Sequence, residues 1–180
     1  VRVLLDPDQL DQFDQSFSHP AADGRHAPTG WLVRFDSSQA QLADRSIRVQ
    51  GTLQAAETDA STLEVTADHT FVYALRAVAA GAGEKAEAAV KAAEASLFTV
   101  RRELHFRFDR EDLRLHQTQL VVSYVQAGPL SCAEDSTNRL HPLLAGQTAK
   151  EGGPAVTDPY ATGGATALCG SLATGSQPKV

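Results

Sequence analysis

The sequence contains no methionine, and its two cysteines, Cys132 and Cys169, form no CxxC motif and have no nearby histidine at metal-ligand spacing. The cysteine spacing argues against a zinc site. The missing methionine, together with a start at Val1, leads us to expect a processed or truncated piece of a longer chain. No run of about 18 apolar residues occurs, so we expect no direct insertion of this piece into a membrane.

An excess of basic charge is also absent, because 16 Lys and Arg stand against 22 Asp and Glu, for a net charge of −6. A weakly acidic surface does not attract nucleic acid or anionic lipid, so we expect neither as a partner. The motifs of phosphate loops, dinucleotide sites, zinc proteases, serine hydrolases and calcium loops do not occur. We therefore expect no cofactor and no metal, and the balance favours a protein that is not an enzyme.

Period-two alternation of apolar and polar residues is the strongest positive signal. It runs through three stretches, Arg45–Glu57, Ser61–Val78 and Leu97–Asp109. Such alternation is typical of antiparallel strands with one packed and one solvated face. A fourth stretch, Leu115–Ala127, has apolar residues on both faces and is predicted to be central or covered on both sides. The pattern predicts an α+β fold, with a curved antiparallel sheet of four or more strands packed on an N-terminal helix.

Shorter elements are predicted around these strands from capping residues, turn residues and local apolar spacing. They are an N-terminal helix opened by Asp6 and Pro7, a strand over Gly30–Asp36, a short helix over Ser38–Asp44, a tight polar turn over Asp109–Asp112 and a helix within Ala133–Ala145.

Two regions depart from the strand pattern. Residues 79–95 are rich in Ala, Lys and Glu and are predicted to be a flexible or helical insertion in a sheet domain that spans 1–128. Residues 129–180 are predicted to hold a helix and an irregular tail packed on the same domain. A disulfide between Cys132 and Cys169 would tie this tail down and stabilise the fold by roughly 3–4 kcal/mol. The alternative is two unrelated thiols in a reducing cytosol.

Polar side chains on the predicted packed face are the best candidates for a binding site. Arg102 falls between apolar residues of the third long strand, where a buried guanidinium needs a partner. That partner is either a carboxylate in a structural ion pair, from Asp36, Asp44 or the C-terminal segment, or a bound anion. His69 and Tyr73 fall on the same face of the second long strand. His69 is the best single candidate for acid–base chemistry, and the alternative is a satisfied core histidine.

The opposite face of the sheet carries charges of both signs. Glu64, Arg101 and Glu103 fall there at cross-strand spacing, which is typical of a salt-bridged, solvated face. His105 falls on the same polar side. His141 precedes a proline and is predicted to lie in a loop.

The order helix, strand, short helix and four-strand antiparallel meander covers about residues 6–127. It resembles the cone-shaped fold of the nuclear-transport-factor-like and cystatin-like group, in which a curved sheet wraps a helix. That group includes dehydratases, isomerases, cyclases and many non-catalytic domains of membrane or secretion proteins. The composition, rich in alanine and preferring arginine to lysine, and the segment from Pro129-Leu130-Ser131-Cys132 to Cys169-Gly170 resemble exported actinobacterial proteins of unknown function. The resemblance transfers no catalytic residue.

Two functions from different classes follow. The first is a non-catalytic extracytoplasmic domain of a secreted or membrane-anchored protein, which serves binding or assembly. Its partner would be an unidentified protein or small molecule, and a homo-oligomer is among the options. The alternative is a small-molecule-binding protein or an enzyme of the dehydratase, isomerase or cyclase kind. Its pocket would lie in the cone of the sheet, with His69, Tyr73 and Arg102 as ligand-binding residues.

Overall fold

The computed structural model describes residues 4–18, 28–78, 94–131, 138–147, 156–157 and 171–172. The helices are α1 (Pro7–Ser18), α2 (Pro28–Trp31) and α3 (Arg110–Leu115). The strands are β1 (Ala40–Leu42), β2 (Arg48–Asp59), β3 (Thr62–Ala77), β4 (Ser96–Phe108), β5 (Gln119–Gly128), β6 (Val156–Thr157) and β7 (Ser171–Leu172). The predicted insertion at 79–95 lies outside the described residues, apart from its last two, and so do both cysteines.

The fold is α+β, with an N-terminal helix and a curved, open antiparallel sheet of five strands. β1 and β2 both pair with the same edge of β3, while β4 pairs with its other edge and β5 pairs with β4. The four long strands predicted from alternation are therefore present in an antiparallel order. A separate two-stranded parallel pair joins β6 to β7, and β6 contacts β5.

The sheet has a closed end, which we define as the region around Phe98 and Leu75, where the hydrophobic core lies. Both residues are 1 % exposed. The rings of Phe35 and Phe98 pack edge to face, with their centroids 5.5 Å apart. Leu140 and Leu144, from the chain that follows β5, complete this core. Backbone hydrogen bonds hold that chain in place, since Leu140 N donates to Arg34 O at 2.7 Å and Asp36 N donates to Leu140 O at 3.2 Å.

The opposite end, formed by β2 and the facing part of β3, is open. All twelve residues of β2 are exposed, and the prediction that its apolar residues lie on a packed face is wrong. Leu53 is 69 % exposed and Val49 is 58 % exposed. Their partners on β3, Ala67 and Phe71, are buried or half-buried, so the uncovered apolar area belongs to the edge strand.

Two short elements before β2 differ from the predictions. Residues 30–36 form no strand, because α2 ends at Trp31 and only Phe35 bridges to Leu140. The predicted helix over Ser38–Asp44 is instead β1, because an Asp36 turn delivers it to the free end of β3. Tertiary pairing overrides local helix preference in such a short segment.

The polar turn predicted over Asp109–Asp112 is the start of α3 rather than a tight turn. Asp112 N donates to Asp109 Oδ1 at 2.8 Å, while Asp109 N donates to Asp112 Oδ2 at 3.0 Å. This reciprocal capping box satisfies two backbone amides that the first helical turn leaves without partners. His116 ends the helix in the left-handed conformation, with φ at 56°.

The strand β5 lies at the edge of the sheet, so the predicted central position is wrong. Its last three residues, Gln126, Ala127 and Gly128, are all buried although their side chains alternate between the two faces. The alternative prediction, that the strand is covered on both sides, is therefore confirmed for this end. A bulge interrupts the β4–β5 register, which passes from His105↔Val122 to Phe106↔Leu120. The extra residue between them shifts the alternation of every later side chain in β5.

The helix α1 docks beside the start of β5. Asp6 caps the helix as predicted, because Asp8 N donates to Asp6 Oδ1 at 2.9 Å. The Gln9 side chain bonds to both backbone groups of Leu120, donating to its O at 2.8 Å and accepting from its N at 2.6 Å. Phe13 is buried, and its ring makes a T-shaped contact with the Trp31 ring, with the two centroids 5.6 Å apart. In the described residues 138–147, no helix occurs, which corrects that part of the Ala133–Ala145 prediction.

Candidate functional site

The three predicted ligand-binding residues share the apolar face of the sheet. His69 of β3 lies directly opposite Arg102 of β4, and Tyr73 lies two same-face positions further along β3. Paired residues of antiparallel strands point to the same side, so the strand register itself brings the imidazole and the guanidinium together. The structure therefore places His69 and Tyr73 on one strand, with Phe71 between them, and Arg102 beside His69 on the next strand.

Arg102 is buried, with 5 % of its surface exposed. Its Nη2 donates to Ser123 Oγ at 3.0 Å. Burial lowers the pKa of Arg102 to about 10, while the neighbouring Tyr73 raises it by a smaller amount. A pKa of about 10 keeps the guanidinium charged at neutral pH, so this face carries a buried positive charge. In turn, burial raises the pKa of Tyr73, and the charge of Arg102 opposes that shift.

Two of the carboxylates predicted as partners of Arg102 are engaged elsewhere. Asp44 is exposed and accepts from Ser46 N at 2.7 Å. Asp36 accepts from the backbone and hydroxyl of Ser38 at 3.0 and 2.7 Å. Strict alternation would place Ser123 on the opposite face of β5 from Leu120. The bulge between them brings both residues to the face of Arg102, so Ser123 can reach its guanidinium. No local sequence signal marks that bulge.

His69 is half-buried and leans across the backbone of β2. Its strand partner there is Gly51, where an added Cβ would lie 2.6 Å from the Cα and 2.7 Å from the Cδ2 of His69. Only a residue without a side chain leaves room for this approach. The ring centroid of His69 is 6.3 Å from that of Phe71. His69 therefore lies where the apolar face of the sheet meets its open end.

A cavity of about 350 Å³ opens further along β4, near α3. Phe106 and Phe108 supply its apolar wall from the same face of β4 as Arg102. Its remaining lining residues come from the N-terminus, from α3 and from the turn after it; they are Leu4, Asp112, Leu113, His116, Gln117 and Thr118. The volume falls at the lower end of the range for small-molecule sites. His69, Tyr73 and Arg102 do not line this cavity.

The uncovered apolar residues of β2 and their neighbours form a second candidate site, which we call the open apolar surface. It consists of Val49, Leu53 and Ala55 of β2 with Leu63 and Val65 of β3. Leu63 and Val65 are half-buried, and the β2 residues are exposed. A contiguous apolar patch on one sheet face, at a strand edge, is typical of an interaction surface.

The polar face of the sheet carries the predicted salt bridges. Arg101 makes a bidentate pair with Asp68, with Nε–Oδ1 and Nη2–Oδ2 distances of 2.7 and 2.5 Å. This hydrogen bonding lowers the pKa of Asp68 below its ordinary value, against a smaller opposing effect of burial. Arg101 also lies 3.9 Å from Glu103. The prediction of a mixed-charge face is confirmed for Glu64, Arg101 and Glu103.

His105 extends this polar network. Its Nε2 lies 3.0 Å from Glu103 Oε1 and its Nδ1 lies 3.1 Å from Glu64 Oε1. The hydrogen bond with Glu103 is the largest cause of a raised pKa for His105, and Glu64 adds to the shift. Two carboxylates on one imidazole favour its protonated form. The network stabilises the sheet and faces away from Arg102.

A buried polar pair that sequence reasoning missed joins the two loops over the closed end. His141 is 4 % exposed, and its Nδ1 lies 3.7 Å from Asp36 Oδ2. Arg139 Nη1 lies 3.8 Å from the other oxygen of Asp36. The pKa of Asp36 is lowered, first by the Ser38 hydrogen bonds and then by His141 and Arg139. The two partners are about a hundred residues apart in sequence, so no spacing pattern relates them.

Within the parts of the chain that the structure describes, no cluster of three or more His, Cys, Asp or Glu side chains has the geometry of a metal site. None of the described helices has both the length and the apolar character needed to cross a bilayer. Comparison of the chain with protein-family models, with curated proteins and with solved structures finds no match.

Proposed function

We propose that this chain is a non-catalytic binding or assembly domain that uses the open apolar surface to contact a partner macromolecule. The observation that carries the proposal is the exposure of all twelve residues of β2, including Leu53 at 69 % and Val49 at 58 %. Exposing such side chains on a long edge strand is unfavourable in water, and soluble proteins generally keep such edges short, charged or covered. A partner that covers the surface removes this cost.

The proposal includes an extracytoplasmic setting, in a secreted or membrane-anchored protein of actinobacterial type. The proposal also includes a disulfide between Cys132 and Cys169, which would form in an oxidising compartment. The finer fold assignment, in which the curved sheet and α1 form a cone of the nuclear-transport-factor-like or cystatin-like kind, is also part of it. The helix, the five-stranded antiparallel sheet and the curvature are compatible with that assignment.

Site-specific photo-crosslinking in cells tests the binding role. A photoreactive amino acid replaces Leu53 on the open apolar surface in one variant and Val121 in a control variant. Val121 is 56 % exposed on the opposite edge strand, so the two positions are matched in exposure. We expect crosslinks to protein chains at position 53 and few at position 121. Equal labelling at both positions, or none at either, would contradict the proposal.

The compartment is tested separately by titrating thiols in the chain recovered from its native location. The two cysteines form the proposed disulfide if no thiol reacts before reduction and both react after it. Two reactive thiols before reduction would remove the disulfide and weaken the extracytoplasmic setting, but they would leave the binding role unaffected.

A small-molecule site is the second candidate function, and the cavity of about 350 Å³ favours it. Phe106 and Phe108 give it an apolar wall, and nearly all of the surface that lines it is apolar. Such a site suits a small apolar ligand. The dehydratase, isomerase or cyclase chemistry that the fold resemblance implies would need Arg102 and His69, which share this sheet face but do not line the cavity.

Methyl-group NMR with a small aromatic probe such as indole tests the cavity. The methyl resonances of Leu4 and Leu113, which line it, should shift on titration, while those of Leu42 serve as an exposed reference. Filling the cavity with Thr118→Phe should abolish the shifts. Equal shifts at Leu42, or shifts that survive the filled cavity, would exclude a specific site there.

A further inference from the structure

The strand β2 presents a free edge along its whole length. On one side it pairs with β3 from Arg48 to Asp59, and among the described strands none pairs with its other side. An edge of this kind offers a row of backbone donors and acceptors to another strand. The stretch Val49–Ala56 contains no charged residue and no proline, which are the usual means of blocking edge pairing.

The charges of this strand stand at its two ends and have opposite signs. Arg48 precedes the uncharged stretch, and Glu57 and Asp59 follow it. Antiparallel pairing with an identical strand brings the basic end of each copy to the acidic end of the other. Parallel pairing sets like charges side by side, which is destabilising. The edge is thus complementary to itself in one orientation.

From this complementarity we propose that the chain forms a symmetric homodimer in which the β2 strands of two copies pair antiparallel, edge to edge. The proposal rests on the proposed function, because it names a second copy as the partner that contacts the open apolar surface at its β2 edge. A two-fold axis relates the copies, so the contact closes on itself and does not propagate. The five-stranded sheets then continue into one another across the axis.

The alternation of faces restricts the register. Paired residues must share a face, so in a symmetric pair the axis passes through a residue rather than between two residues. With the axis at Leu53, each Leu53 faces the other, and Gly51 faces Ala55 of the second copy. The bulge between Glu57 and Asp59 places Asp59 on the face of Arg48, so Arg48 of one copy lies beside Asp59 of the other. This register uses nearly the whole strand.

The register predicts a charge-exchange experiment at one position. Leu53→Lys sets two lysines against each other on the axis, and Leu53→Glu sets two glutamates against each other. Either variant alone should dissociate, with a dimer dissociation constant raised by about tenfold or more. An equal mixture should form a heterodimer, since lysine then faces glutamate. Leu53 is 69 % exposed in the single chain, so neither substitution should impair folding.

Sedimentation equilibrium of the purified chain measures the association, and circular dichroism confirms that each variant is folded. The matched control is Val121→Lys, which adds the same charge at a 56 % exposed site on the other edge strand and should leave the dimer intact. A dimer that both Leu53 variants lose, that their mixture restores and that the control retains is the expected result.

Three outcomes overturn the proposal. A wild-type chain that remains monomeric at all accessible concentrations removes the dimer. Open-ended assemblies remove the two-fold arrangement, and a dimer unaffected by charge at position 53 places the contact elsewhere. A monomer whose position 53 still crosslinks to other proteins in cells would leave the proposed binding function standing with a different partner. The two failures are therefore distinguishable.

Discussion

The closed and open ends of the sheet have the same alternating sequence pattern, but the apolar residues are buried at the closed end and exposed on β2 at the open end. Phe71 shows this at a single point, because it pairs with Val100 on β4 and with Val49 on β2. Val100 is 0 % exposed and Val49 is 58 % exposed. The two valines flank the same ring on the same face, but only one of them lies under the loops that carry Phe35 and Leu140.

The difference teaches that alternation identifies a face without showing whether anything covers it. At the closed end, the cover comes from chain segments that are distant in sequence and are held by backbone hydrogen bonds such as Asp36 N to Leu140 O. At the open end, no described segment covers β2. Stability should therefore be concentrated at the closed end and interaction at the open end, and four substitutions test this division.

Phe98→Ala at the closed end should have the largest effect. The ring is 1 % exposed and packs against Phe35, so its removal leaves a cavity that the surrounding core cannot fill. We expect a loss of about 3–5 kcal/mol in the free energy of unfolding. Urea denaturation followed by fluorescence of Trp31 measures it. A loss below about 1 kcal/mol would mean that the core does not reside at this end.

The matched pair Val100→Ala and Val49→Ala gives the most direct comparison. Removing two buried methyl groups at Val100 should cost about 2 kcal/mol, while the same change at exposed Val49 should stay within about 0.5 kcal/mol. Both variants are made in a Leu53→Lys background, so that dimer formation does not enter the measurement. Similar losses at the two positions would show that β2 is covered in solution.

Substitutions at the open end should have little effect on stability, and we expect Gly51→Ala to be the exception. Although Gly51 is exposed, an added Cβ would meet the backbone of Asp68 and lie 2.6 Å from the Cα of His69. The strands must then separate locally, which we expect to cost about 1–2 kcal/mol. Thr52→Ala, at the next exposed position, is the control. Equal stability of the two variants would show that the close approach of β2 and β3 is not required.

The smallest expected effect is a pH dependence that arises from His105. The ordinary pKa is 6.5, and its value in the folded chain is raised by Glu103 and Glu64. Below pH 6.5 the imidazole is protonated in both states and the pairing stabilises the fold in full; this contribution is lost as pH rises through the folded pKa. Because the pairs are partly exposed, it should be under about 1 kcal/mol.

Unfolding free energies measured between pH 5 and pH 9 (a range of about two units around the ordinary pKa) should fall with rising pH in the wild type. His105→Gln should flatten this slope. An unchanged slope in the variant would assign the pH dependence to another group. Since the polar network lies on the face opposite Arg102, Arg102→Gln, which introduces no group that titrates in this range, should leave the slope unaltered.

Sequence alternation predicted the four long strands and the side of the sheet on which Arg102, His69 and Tyr73 lie, because side-chain direction in a strand depends only on position. The placement of Glu64, Arg101 and Glu103 on the other face follows from the same rule. The candidate site was therefore partly predictable as a set of residues on one face. Its pairing was not, since alternation says nothing of which β3 residue lies opposite which β4 residue.

Other features needed the tertiary structure. The helix predicted over Ser38–Asp44 became β1 because a free stretch of the β3 edge was available to pair with it. The bulge in β5 moved Ser123 to the side of Arg102, and no residue type marks a bulge of this kind. His141 became a buried partner of Asp36 through a contact between distant segments.

Wherever a strand runs without a bulge, the sequence by itself determined which residues face together, because the period of an extended backbone is local and requires no other part of the chain. Only the tertiary structure decided which part of that face is covered. Cover depends on where the chain returns, and that depends on long-range hydrogen bonds such as Leu140 N to Arg34 O. The same apolar alternation thus formed a core around Phe98 and left an exposed edge around Leu53.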